Sequence, residues 1–133
     1  MIIKASATVQ DIFDQFHTLF PYLKLEFYKH GHAENKGSKI EDQVSHESRL
    51  KSLNPHIETT EMEIDPLMTV SELEQMMKEK FNLHVQVFRK SSDLWLQTSA
   101  TDHWTLEKQN GKGQRSTEDY GIEPLGITDF DVD

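Results

Sequence analysis

Two stretches that echo one another decide the fold. The first is Thr8-Val9-Gln10-Asp11-Ile12 running to Phe20, followed by Leu23-Lys24-Leu25-Glu26-Phe27-Tyr28-Lys29-His30. The second is Thr69-Val70-Ser71-Glu72-Leu73 running to Phe81, followed by Leu83-His84-Val85-Gln86-Val87-Phe88-Arg89-Lys90. Their offset is 61 residues through the first part and 60 through the second, so one residue is lost at the intervening turn. Each copy opens on a Thr whose hydroxyl can accept from the free N–H groups of a helix start. An acid three residues on, Asp11 or Glu72, completes a capping box. Apolar positions then recur at helical spacing: Val9, Ile12, Phe16 and Leu19 or Phe20 in one copy, Val70, Leu73, Met77 and Phe81 in the other. Past the turn the period becomes two, which is a strand. Upstream, Ile3 matches Ile64 and gives each helix a short preceding strand.

Working outward, the predicted order is a strand (about 1–5), a helix (8–20), a strand (23–30), a long loop, a strand (56–64), a helix (69–81), strands (83–90 and 94–99) and a short helix (about 102–110). That order predicts an α+β two-layer sandwich, ferredoxin-like βαββαβ, with an added C-terminal hairpin strand and short helix. A ubiquitin-like β-grasp built from residues 56–110 is the alternative. Residues 31–48 offer only Ala33, Ile40 and Val44 as aliphatics, so a mobile loop is expected at about 31–55. The expected organisation is one domain over residues 1–113 and a flexible acidic tail over 114–133.

The chain has 133 residues, 14 Lys plus Arg, 23 Asp plus Glu and a formal charge of −9. No run approaches the roughly 18 apolar residues of a membrane span, and Lys4, Gln10 and Asp11 interrupt any signal-peptide core. With no Cys there are no disulfides, thiolate metal sites or thiol nucleophiles. A soluble, cytoplasmic protein without membrane contact is expected. The acidity is uneven. Glu118, Asp119, Glu123, Asp129, Asp131 and Asp133 fall within residues 117–133, where no Lys or Arg offsets them. The body is therefore nearly balanced. Nucleic-acid binding is excluded chiefly because the expected central strands present Ile2, Lys4, Ile57, Thr59, Glu61 and Glu63, with no aromatic to stack on a base.

Strand alternation turns Leu23, Leu25, Phe27, Val85 and Val87 toward the helices, leaving Tyr28, His30, His84, Gln86, Phe88 and Lys90 on the far face. A turn at Lys90-Ser91-Ser92-Asp93 would pair Arg89 with Leu94 and set Phe88 opposite Trp95. Two readings of this aromatic face stay open. Residues 101–110, with Trp104 and Leu106, fold back over it; or Tyr28, Phe88 and Trp95, with Phe130 of the acidic tail, bind a protein partner or a second copy.

His30-Gly31-His32-Ala33-Glu34 sets two imidazoles and a carboxylate at alternate positions, a weak candidate metal set of His30, His32 and Glu34. No metal or other cofactor is assigned on that spacing. His46-Glu47 begins like a zincin helix, but Leu50 stands where the second His is needed. Nucleophile-elbow, phosphate-loop and dinucleotide motifs are missing. Gly111-Lys112-Gly113 reads as a helix C-cap, with Asn110-Gly111 ending the last helix. The function expected is a non-enzymatic protein-interaction module; the alternative is a small-molecule or metal-dependent enzyme using the loop histidines.

Val85-Gln86-Val87-Phe88-Arg89-Lys90-Ser91, Trp95-Leu96 to Thr98, Thr101-Asp102, Trp104-Thr105-Leu106 and Gln109-Asn110 together resemble a pattern of small uncharacterised bacterial proteins. The resemblance covers residues 85–110 and implies that the hairpin and short helix form a unit. No activity travels with it.

Overall fold

Both repeated threonines cap helices in the computed structural model, which describes residues 1–31 and 36–118. Thr8 Oγ1 accepts from the Asp11 N–H, and Asp11 accepts from the Thr8 N–H at 3.0 Å. Thr69 and Glu72 repeat the exchange at 3.0 and 2.8 Å. Helix α1 (Val9–Leu19) buries Val9, Ile12 and Phe16, and α3 (Val70–Phe81) buries Val70, Leu73, Met77 and Phe81. The one-residue difference at the turn has a local cause. Helix α3 ends on Asn82 in the left-handed region (φ 52°), which reverses the chain at once, whereas α1 is followed by Phe20, Pro21 and Tyr22 before β2 begins at Leu23.

The remaining elements are β1 (Ile2–Ile3), β2 (Leu23–Tyr28), α2 (Leu50–Leu53), β3 (Thr60–Glu61), β4 (His84–Ser91), β5 (Leu94–Gln97) and α4 (Leu106–Glu118). The protein is a mixed α+β fold with two antiparallel sheets, β1-β3 and β2-β4-β5. The sheet order is not the expected ferredoxin-like one, which keeps the two helix-following strands apart. Here β2 and β4 pair directly, from Leu23↔Arg89 to Tyr28↔His84. Their apolar sides explain this: direct pairing sets Leu25 beside Val87 and Phe27 beside Val85, all buried under the helices. Strands β1 and β3, two residues each, are too short to hold a sheet centre. A β-grasp within residues 56–110 is not formed either, since β3 pairs with β1 and β4 with β2, both from the first half.

The sequence repeat becomes a pseudo-twofold axis. Val9 N–H donates to Ser48 O and Leu50 N–H to Ala7 O; Val70 N–H donates to Trp104 O and Leu106 N–H to Met68 O. The N-terminus of α1 is thus bridged to that of α2, as α3 is to α4. Exchange of the halves maps the pair Leu25↔Val87 onto Phe27↔Val85 and leaves Glu26↔Gln86 on the axis. The reciprocal bonds between Met1 and Met62, at 2.8 and 2.9 Å, lie on it as well.

Residues 36–55, expected as a mobile loop, pack against the body. Val44 N–H donates to Phe27 O and Lys29 N–H to Asp42 O, extending the sheet along the free side of β2. Val44 and Leu50 enter the core, so two of the few apolar residues in this polar stretch anchor it. The hairpin is also tighter than expected. Ser92 takes a positive φ of 58° in a two-residue turn, so Ser91 faces Leu94, Lys90 faces Trp95 and Phe88 faces Gln97.

Helix α4 starts later and runs further than expected, passing through both glycines to Glu118. It packs on the helix side of the sheet rather than over the aromatic far face: Leu106 joins the core, and Arg89 Nη1 donates to Gln109 Oε1 at 2.8 Å. Gly113 permits this approach, because a Cβ there would meet Tyr22 Cβ at 2.9 Å and Tyr22 O at 3.1 Å. At Gly111 the nearest such neighbour is the flexible end of Arg115, at 3.4 Å. Alanine should therefore act with opposite sign at the two sites. Gly111→Ala is expected to stabilise by up to about 1 kcal/mol through helix propensity, and Gly113→Ala to destabilise by roughly 1–3 kcal/mol through overpacking. Urea unfolding of both variants checks this, and shifts of the same sign would refute the close packing of α4.

Candidate functional site

On the far face of the sheet, alternation turns Lys24, Glu26 and Tyr28 of β2 the same way as Gln86 and Phe88 of β4 and Trp95 of β5. This face is covered from one side by residues 38–46. Ser38 clamps it: its N–H donates to Gln97 Oε1, its carbonyl accepts from Gln97 Nε2, and its hydroxyl lies 3.3 Å from Gln86 Oε1. Gln86 is fully buried and donates to Val87 O.

Glu26 is the most telling residue here, a strand carboxylate only 2% exposed. It accepts from His46 Nε2 at 2.7 Å and pairs with Lys24 Nζ at 3.3 Å. Such a buried charge is tolerated only when paired. His46 arrives because the N–H of Gln10 holds its carbonyl at the start of α1. Its Nδ1 faces Gln10 Oε1 at 3.1 Å, and its ring packs on Phe13 with centroids 4.6 Å apart. Both imidazole nitrogens are thus engaged by protein oxygens. A general base or a metal ligand needs one of them directed at its target, so this dyad holds structure. Lys24 Nζ lies 5.0 Å from the Phe88 ring and 5.2 Å from that of Trp95, a cation held between carboxylate and aromatic faces.

Tyr28 is buried, with its hydroxyl 3.2 Å from Gln43 Oε1. Burial, and secondarily the Glu26 charge, pushes that hydroxyl from 10.0 up to about 12. Between those values the unfolded chain gives up its proton first, so rising pH favours unfolding. The contribution is intact below pH 10 and lost on approaching 12, on the order of 2–3 kcal/mol. Urea midpoints measured from pH 9 to pH 12 should fall less in Tyr28→Phe than in the parent chain; equal slopes would remove Tyr28 as the cause.

The residues expected to form a partner surface separate on this geometry. Tyr28 and Phe88 are buried, Trp95 is half-buried, and Phe130 lies outside the described residues. Of the metal candidates, His30 is exposed and 3.6 Å from Asp42, while His32 and Glu34 lie outside the described residues. Among the described residues no group of three or more His, Asp or Glu can hold a metal ion. No described helix is long and apolar enough to cross a membrane.

The chain matches no family model, no curated protein and no solved structure.

The outer edge of β5 is the other feature of note. Arg89 pairs with Leu96 and Ser91 with Leu94, while Lys90 N–H turns to Tyr22 O of the neighbouring chain segment. By alternation the main-chain groups of Trp95 and Gln97 point outward from the sheet. On the helix side of this strand, Leu94 is 62% and Leu96 40% exposed. Sequence reading missed Glu26, His46 and Lys24 as a set. The Lys24-x-Glu26 spacing on one strand face was a visible signal, but its partner His46 lay in the stretch taken for a loop.

Proposed function

We propose that this chain is a non-enzymatic protein-interaction module that takes up an extended, acidic and apolar peptide segment along the outer edge of β5. The observation that carries this reading is the pair of exposed leucines, Leu94 and Leu96, on a strand that ends its sheet among the described residues. An added strand would satisfy the outward main-chain groups of Trp95 and Gln97 and cover both leucines. Charge supports an acidic partner. Lys90 stands beside Trp95, 5.9 Å from its ring, so an indole and an ammonium border the strand on its far face.

The test is a titration of the isotope-labelled full chain with a ten-residue peptide of alternating Val and Glu. A Val and Lys peptide serves as the control. Shifts centred on the amides of residues 94–97, with the acidic peptide only, are expected. Leu94→Asp with Leu96→Asp, both on exposed positions, should abolish them while native dispersion is retained. Equal response to the basic peptide, or unchanged binding by the double variant, would overturn the reading. So would a concentration-dependent dimer showing the same shifts without peptide, which would make a second copy the occupant.

A further inference from the structure

Helix α4 delivers the chain to one end of the sheet. It finishes at Glu118, whose Oε2 accepts from the Tyr22 hydroxyl at 2.6 Å. Tyr22 O in turn accepts from the Lys90 N–H, and Lys90 lies opposite Trp95 of β5. The chain therefore leaves α4 at the hairpin end, where β5 begins. Residues 119–133 follow, outside the described residues: Asp119-Tyr120-Gly121-Ile122-Glu123-Pro124-Leu125-Gly126, then Ile127-Thr128-Asp129-Phe130-Asp131-Val132-Asp133.

The second of these stretches alternates in sequence. Phe130 and Val132 fall on one parity and Asp129, Asp131 and Asp133 on the other, so an extended backbone would send apolar groups to one side and carboxylates to the other. The edge of β5 is divided in the same way. Its helix side carries the exposed Leu94 and Leu96, and its far side carries Trp95 with Lys90 beside it. At the Gln97 end of the far side, the bonds to Ser38 hold a segment whose Lys36 and Lys39 are exposed. Among the described residues no bond reaches the outward main-chain groups of Trp95 and Gln97.

Reach is sufficient. Residues 119–126 extend up to about 26 Å, against roughly 15 Å for the three strand spacings between the start of β2 and a strand added outside β5. Tethering supplies an effective concentration on the order of 1 mM, so a free-segment Kd of about 0.1 mM suffices to fill most of the edge. We infer that residues 127–133 of the same chain occupy the outer edge of β5, with Phe130 and Val132 over Leu94 and Leu96 and the aspartates on the side of Lys90. This rests on the reading of β5 as the docking edge and names its resident occupant, which a partner segment has to displace.

The chain has no Cys, so Asp133→Cys accepts a single nitroxide label. In the isotope-labelled full chain the amides of residues 94–97 are expected to broaden strongly, to recover when the nitroxide is reduced, and to broaden equally on dilution. Leu94→Asp with Leu96→Asp should abolish the effect. Phe130→Asp with Val132→Asp, without the nitroxide, should raise the affinity of the edge for the Val and Glu peptide by about tenfold, because nothing then has to be displaced. Absence of broadening at residues 94–97, while that peptide still shifts their amides, would overturn this inference and leave the reading of the edge standing. Absence of both would overturn the two together. Broadening that survives the leucine substitutions would place the segment elsewhere and overturn the inference. So would broadening seen only when nitroxide and isotope are on separate chains, which would make a second copy's segment the occupant.

Discussion

Phe27→Ala is expected to remove about 3–5 kcal/mol of stability, the range for truncating a fully buried aromatic. Phe27 is completely buried on the helix side of β2, directly opposite Val85, and its carbonyl accepts from Val44 at 2.8 Å. Its ring stands on the central strand pair that joins the two halves, so neighbouring side chains cannot collapse into the void without shifting both strands. Single domains hold only about 5–15 kcal/mol in total, so the variant should be largely unfolded well before the parent chain in urea. Ile40→Ala provides the contrast. Ile40 is exposed, and its truncation should change stability by no more than about 0.5 kcal/mol. A loss below about 1 kcal/mol for Phe27→Ala would place the core elsewhere.

The second large effect concerns Glu26. Removing both of its basic partners together, as Lys24→Met with His46→Leu, is expected to cost about 3–5 kcal/mol, because a carboxylate then stays buried without a counter-charge. Adding Glu26→Gln to that pair should recover most of the loss. The pseudo-symmetric position already shows that the fold accommodates an amide there, in Gln86, which is fully buried and bonded to Val87 O and Ser38 Oγ. Glu26→Gln alone should cost less than the double variant, since Lys24 and His46 both retain access to water. Denaturation of these three variants gives the coupling energy directly. A triple variant no more stable than the double would mean that lost packing by Lys24 and His46, rather than charge, sets the penalty.

Much of the local structure was legible because its causes are local. The Thr8 and Thr69 capping boxes, the buried stripes of α1 and α3, and the inward alternation of Leu23, Leu25, Phe27, Val85 and Val87 follow from spacing alone. The hairpin register did not, since a positive φ at Ser92 tightened the turn and moved Trp95 from Phe88 to Lys90. Gly111 and Gly113 misled for a related reason. Glycine favours a helix end by propensity, but at Gly113 close contact with Tyr22 is the stronger demand, and α4 continues. Residues 36–55 read as a loop because few of them are apolar, yet Val44 and Leu50 together with main-chain bonds to β2 suffice to hold them.

The sequence by itself determined the repeated cap–helix–strand unit, which face of each strand enters the core, and an acidic excess gathered in residues 117–133. These depend on neighbours within a few positions. Only the tertiary structure decided that the halves share one sheet through β2 and β4, that Glu26 and Gln86 meet on the axis between them, and that His46 comes from a distant segment to pair with Glu26. Those outcomes depend on which surfaces meet across some 60 residues of chain, which a periodic pattern of apolar side chains leaves open.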